Sequence, residues 1–154
     1  MKKETLKNIF DFLKKEDNKN KPFKWKLVNN EPLTDDELII DDNLYLAGSS
    51  IKSLPDNLEV KGDLKLHDSS IISLPKGLVV SGDLFLRRCK NLTSLPKGLK
   101  VYGDLYISMS SLEDYSDDEI IEMIKPGFIK GEIYWDNGKR NTKNHIQISW
   151  KGGE

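Results

Sequence analysis

The sequence predicts a β-rich solenoid of the α+β class, in which about five short coils stack into one unit between an N-terminal helix cap and a C-terminal cap of helix plus strands. Three observations carry that expectation. Segments Leu38 to Asn57, Leu58 to Gly77 and Leu78 to Gly98 repeat one another at 20, 20 and 21 residues, and Leu99 to Tyr115 begins a fourth copy. The copies open on a shared pattern, L-x-V-x-G-D-L-x-L in the second and third and a variant of it in the others, so that Leu58, Val60, Leu64 and Leu66 point one way and Glu59, Lys61 and Lys65 the other, as in a half-buried strand. Each of the three full copies then closes on I/L-x-S-L-P, where proline removes an amide donor and turns the chain back. One such coil cannot cover its own apolar face, so neighbours must stack and the ends must be covered.

The elements follow in chain order. Residues 1–37 read as an N-terminal helix and strand cap: Leu6, Ile9, Phe10 and Leu13 share one face of an amphipathic helix over residues 5–16, residues 17–22 are a polar break, and Phe23 to Val28 alternate as a strand would. Residues 38–115 are the repeats. Thr34 to Ile40 is read as strand, because it aligns with Leu58-Glu59-Val60. Residues 116–154 form the C-terminal cap of the same structural unit. Ser116 followed by Glu119 has the spacing of a capping box, and Pro126-Gly127 ends the helix. Ile129 to Trp135 repeats the strand pattern with Gly131 kept and Ile129, Glu132, Ile133 and Trp135 in place of Val, Asp, Leu and Leu, and is expected to be a fifth, disguised strand after a helix that replaces the Leu-Pro return. Asp136 to Gly138 would then turn the chain into a last strand, His145 to Trp150.

The segments L-x-L-x-x-S-x-I-x-x-L-P at Leu44 to Pro55 and Leu64 to Pro75, with a looser copy at Leu84 to Pro96, resemble the leucine-rich repeat. The 20-residue length and the Leu-Pro ending are similar to the short bacterial class found in injected effectors and in bacterial and phage proteins. Ser49, Ser69 and Ser110 stand where that family usually has Asn. The resemblance covers roughly residues 38–115 and implies a binding module. The expected location is the cytoplasm, that of the host cell if the chain is injected or phage-encoded, because neither a secretory signal nor a membrane run is visible.

Composition excludes several functions. Lys and Arg total 24 against 25 Asp and Glu, so the net charge of −1 supplies no field to draw in a polyanion. The single cysteine, Cys89, rules out an intrachain disulfide or a multi-cysteine metal centre. No apolar run approaches the roughly 18 residues of a membrane helix, and the charged start, Met1-Lys2-Lys3-Glu4, carries no signal-peptide core.

Stacking makes each repeat position a column. The outward residue between the two strand leucines is Tyr45, Lys65, Phe85, Tyr106 and Tyr134, four aromatics of five in a chain that is only 8% aromatic. Tyr102 and Lys61 flank this column on one side, with His67, Arg87 and Arg88 on the other. Exposed aromatics beside Arg are the residue types that dominate protein interfaces. Tyr45, Lys65, Phe85, Tyr106, Tyr134, Tyr102, Arg87 and His67 are therefore the candidate partner-binding residues, and the bland alternative is a stacking ladder that only stabilises the sheet. A second column, Asn43, Asp63, Asp83, Asp104 and Glu132, is read as accepting backbone amides at a bend, with Gly62, Gly82, Gly103 and Gly131 supplying unusual backbone angles, in preference to a metal string. Ser49, Ser69 and Ser110, and likewise Ser53, Ser73 and Ser94, are read as internal hydrogen-bond ladders.

The expected function is a protein-protein interaction module, an adaptor or inhibitor acting as a monomer or weak homo-oligomer, with no cofactor, no metal and no catalytic residue. His67, His145 and Cys89 are the only candidates for catalysis, and a repeat face offers them no cleft. The alternatives are a self-associating structural repeat protein, such as a virion or assembly component, and, behind it, a single-stranded nucleic-acid binder using Lys61, Lys65, Arg87, Arg88, Lys90 and Lys100.

Overall fold

A computed structural model describes residues 22–135 of the chain. The expected helix at residues 5–16, the turn at 136–138 and the strand at 145–150 lie outside them. The chain divides into two compact units, residues 1–34 and residues 35–154.

In the first unit, helix α1 spans Phe23–Val28, which corrects the strand expected there. Six alternating residues fit either period, and the backbone decides for the helix: Lys26 N–H donates to Pro22 O at 3.1 Å and Asn29 N–H to Trp25 O at 3.1 Å. Burial follows the helix too, since adjacent Lys26 and Leu27 are both buried while Trp25 and Val28 are exposed. Pro22 precedes the helix, where its missing amide costs nothing.

The second unit is a β-solenoid, with ten two-residue strands among the described residues. They are β1 (Ile39–Ile40), β2 (Leu44–Tyr45), β3 (Glu59–Val60), β4 (Leu64–Lys65), β5 (Val79–Val80), β6 (Leu84–Phe85), β7 (Lys100–Val101), β8 (Leu105–Tyr106), β9 (Phe128–Ile129) and β10 (Ile133–Tyr134). They form two five-stranded parallel sheets, β1-β3-β5-β7-β9 and β10-β8-β6-β4-β2. Successive copies register residue for residue, as in Leu64↔Leu84↔Leu105. The disguised strand of the sequence is real: Ile129 pairs with Val101, and Ile133 with Leu105. At the other end only Ile39–Ile40 is strand. Asp36–Leu38 ahead of it is a short 3-10 turn, so the extended reading of residues 34–38 is corrected.

The period-two pattern fills the core. Leu58, Val60, Leu64, Leu66, Leu78, Val80, Leu84 and Leu86 are fully buried, and the return segments add Ile71, Leu92 and Leu112. Helix α2 (Asp117–Ile124) stands between β8 and β9, as expected. Its capping box is complete: Glu119 N–H donates to Ser116 Oγ at 3.1 Å and Ser116 N–H to Glu119 Oε2 at 2.7 Å. The helix buries Ile120 and Ile124, and its Met123 Sδ and Ile124 O accept the amides of Leu95 and Gly98 from the preceding return segment. Trp135 at the end of β10 donates its indole N–H to Asp117 Oδ1 at 3.0 Å, which ties the last strand to the helix start.

Between the two strands of each copy lies a bend built by the acidic column. Asp63 N–H donates to Asn43 Oδ1 (2.7 Å), Asp83 N–H to Asp63 Oδ1 (2.8 Å), Asp104 N–H to Asp83 Oδ1 (2.7 Å) and Glu132 N–H to Asp104 Oδ1 (2.8 Å). Each carboxylate thus holds the next copy. The adjoining glycines have a different reason from the one expected. None of Gly62, Gly82, Gly103 or Gly131 has a left-handed φ; a Cβ on each would collide with the side-chain oxygen and the backbone of the copy before it. They are glycine because the coils touch there. Left-handed backbone occurs at Gly48, Asp68, Arg88 and Met109, four equivalent positions just after the second strand.

This column yields a first prediction. Asp83→Ala leaves the Asp104 amide without its acceptor and is expected to lower stability by about 1 to 3 kcal/mol. Asp83→Asn keeps an acceptor oxygen, as Asn43 already does at the head of the column, and is expected to cost under about 1 kcal/mol. Urea denaturation of both variants separates a hydrogen-bond ladder from a charge requirement.

Candidate functional site

The outward column is a stack. Phe85 and Tyr106 lie 4.5 Å apart between ring centroids at an interplanar angle of 4°, and Tyr106 and Tyr134 lie 4.8 Å apart at 10°. Strand pairing at about 4.8 Å sets this spacing, so identical outward positions bring flat rings face to face. Lys65 continues the stack by a different interaction. Its Nζ sits 4.9 Å from the Tyr45 centroid and 5.3 Å from that of Phe85, a cation between two π faces. Only Tyr45 is strongly exposed, at 50%, and the other four members are half-buried against one another. Both faces of Phe85 and of Tyr106 are covered, and what these rings offer solvent is their edges.

The tyrosine hydroxyls share this side of the molecule with the acidic column. Asn43 Nδ2 donates to the Tyr45 hydroxyl at 3.1 Å. Burial, and after it the carboxylates of Asp104, Asp83 and Asp63, push the Tyr106 phenol above its ordinary value. Tyr134 is raised in the same sense, by desolvation first and then by Asp104 and Glu132. A phenol whose folded value is raised contributes stability that is complete below its unfolded value of about 10 and is lost as the pH climbs through the folded one. The melting temperature is therefore expected to fall as pH rises past about 10, together with the tyrosinate absorbance. Ionisation of these phenols at their ordinary value with no loss of stability would show the stack to be electrostatically indifferent.

On the other side of the rings runs a groove of 430 Å³. Phe85, Tyr106 and Tyr134 line it from the stack, while His67, Arg87 and Ser108 line it from the column two residues further along each copy. Trp135 adds to it at the last strand. Of the candidate residues, His67, Phe85, Arg87, Tyr106 and Tyr134 are thus brought together, Tyr45 and Lys65 continue the same stack beyond the groove, and Tyr102 stands apart, edge-on to Phe128 at 5.2 Å. Arg87 and Arg88 diverge, because the left-handed backbone at Arg88 turns its side chain to Asp68 at 3.5 Å. Arg87 is exposed, and its guanidinium has no hydrogen-bond or ion-pair partner among the described residues. Ser108 and Trp135 were not among the expected site residues. Ser108 is legible as the next member of the His67 and Arg87 column, whereas Trp135 occupies a core leucine position and reaches the groove only through its size.

Cys89 is placed in the core, where its thiol donates to Leu66 O at 3.1 Å and burial raises its pKa. It stands in the column of Ser49, Ser69 and Ser110, and the hydroxyls of Ser49 and Ser110 each donate to the carbonyl three residues back at 2.6 Å. This column is an internal hydrogen-bonding one, as expected, with a cysteine in place of one serine. Ser53, Ser73 and Ser94 are instead exposed, which corrects their reading as internal, because the residue two before Pro on the return segment faces outward. Among the described residues, no cluster of three or more His, Cys, Asp or Glu is arranged to hold a metal, and no helix is long and apolar enough to cross a membrane.

No protein-family model matches this chain, and no curated protein or solved structure is significantly similar to it.

Proposed function

We propose that this protein is an interaction module of the leucine-rich-repeat type, an adaptor or inhibitor that docks one protein partner on the sheet face formed by β2, β4, β6, β8 and β10. The observation that carries the reading is the groove between the stacked rings and Arg87: a concave, partly apolar surface next to a guanidinium with no partner among the described residues. Aromatic and Arg side chains concentrate binding energy because they bury large areas with few rotatable bonds. A fully stacked ladder is also prearranged, so docking loses little side-chain entropy. In this reading α2 serves as a cap, the protein acts in the cytoplasm, and its work is binding and not catalysis.

The stack weighs against single-stranded nucleic acid. Such proteins bind bases on open ring faces, whereas both faces of Phe85 and Tyr106 are already covered.

Retention of proteins from a bacterial lysate by the wild-type chain and by the Phe85→Ala, Tyr106→Ala variant tests the proposal, with mass spectrometry to identify what is held. Because the rings stack, the variant is expected to lose about 1 to 3 kcal/mol of stability as well, so binding is compared well below its melting temperature. A protein held by the wild type and lost from the folded variant supports docking on this face. Equal recovery from both sinks it and leaves the ladder as a purely structural feature.

A further inference from the structure

Resting on that reading, we infer that the groove takes an extended, acidic segment of the partner, laid along the solenoid axis across the strands. Charge comes first. Among the described residues, the ionisable side chains that line the groove, apart from the phenols, are His67 and Arg87, and no carboxylate lines it. In the bend column the carboxylates of Asp63, Asp83 and Asp104 each hold the amide of the next copy, with Glu132 at its end. Arg88 is matched by Asp68 at 3.5 Å, while Arg87 beside it is matched by nothing among the described residues. A guanidinium presents donors in a fixed fork that suits a carboxylate in two-point contact.

The rings select in the same direction. An aromatic ring carries its positive potential at the edge, and edges are what Phe85 and Tyr106 present because their faces are covered. A carboxylate between Arg87 and these edges is attracted from both walls, and an ammonium is repelled from both.

Length sets the form of the ligand. From His67 to Trp135 the groove crosses four consecutive copies. At about 4.8 Å per strand this is roughly 14 Å, the reach of about four extended residues. An extended chain sends alternate side chains to opposite sides, so a segment alternating acidic and apolar residues meets the Arg87 wall with one set and the rings with the other.

The test uses the full chain and three synthetic probes, acetyl-Leu-Asp-Leu-Asp-Leu-amide, its Asn-containing neutral counterpart and its Lys-containing basic counterpart, followed by NMR titration. The acidic peptide is expected to bind on the order of tenfold tighter than the neutral one, with the largest shifts at Phe85, Arg87, Tyr106 and Tyr134. Arg87→Gln, a change at an exposed side chain that leaves the core untouched, is expected to erase the difference. Equal binding of acidic and neutral peptides, tighter binding of the basic one, indifference to Arg87→Gln, or no binding of any peptide would each overturn the inference. None of these results touches the docking reading, which fails separately if retention of a partner survives loss of Phe85 and Tyr106.

Discussion

Gly103→Ala is expected to be among the most damaging single substitutions in this chain, lowering stability by about 3 to 5 kcal/mol in urea denaturation. A Cβ at this position would lie 2.6 Å from Gly82 O and 2.7 Å from the Gly82 carbonyl carbon, and nearer still to Asp83 Oδ1. The two backbone atoms have no way to yield, because they belong to the neighbouring coil. Relief requires the coils to part at the bend, where Gly103 N–H donates to Gly82 O at 3.0 Å and Asp104 N–H to Asp83 Oδ1 at 2.7 Å. Overpacking of this kind costs about 1 to 3 kcal/mol, and two weakened hydrogen bonds add about 1 kcal/mol each. Gly98→Ala is the control. It has a left-handed φ of 84° and open space where a Cβ would go, so only conformational strain of about 1 to 2 kcal/mol is expected. Equal losses at the two positions would refute close approach as the reason for glycine at the bend.

That contrast also marks where sequence reading stops. Glycine at the bend was legible as a requirement, and its cause was not, because backbone freedom and closeness to a neighbour select the same residue. The apolar columns were legible in full: Leu64, Leu84 and Leu105 are registered and buried as the period of two demands. So were the capping box of α2 and the disguised strand at Ile133, since each rests on a local pattern with one physical meaning. Phe23 to Val28 was misread because six residues fit both periods. In the candidate site, the column of rings was visible as soon as the repeat was aligned. That its faces are consumed by stacking, and that Arg88 is paired while Arg87 has no partner among the described residues, depend on side-chain directions that the repeat leaves open. Cys89 was hidden for a related reason. The third copy carries one additional residue, and only the coil geometry shows that the cysteine stands with Ser69 and Ser110 and the insertion falls after it.

Leu84→Ala is expected to cost about 4 kcal/mol, and Leu44→Ala, the same change in the same column, about 2 kcal/mol. Both leucines sit at the first position of a strand and are buried, with relative exposures of 0% and 4%. Removing a buried leucine side chain costs 2 to 5 kcal/mol, and the spread reflects how far the surroundings can collapse into the space left. In a solenoid that freedom is set by position. Leu84 in β6 is registered with Leu64 on one side and Leu105 on the other, so a void there is held open by coils on both sides. Leu44 in β2 is registered within its sheet with Leu64 alone, at the end of the strand order. Stability in such arrays is approximately a sum of coil terms and nearest-neighbour interfaces, and a central substitution weakens two interfaces where a terminal one weakens one. Hydrogen exchange should show the same gradient, with the amides of β6 opening only on global unfolding and those of β2 opening at lower free energy. A Leu44→Ala loss equal to or larger than that of Leu84→Ala would mean that the β2 end is held as firmly as the centre, and that the nearest-neighbour description does not apply to this stack.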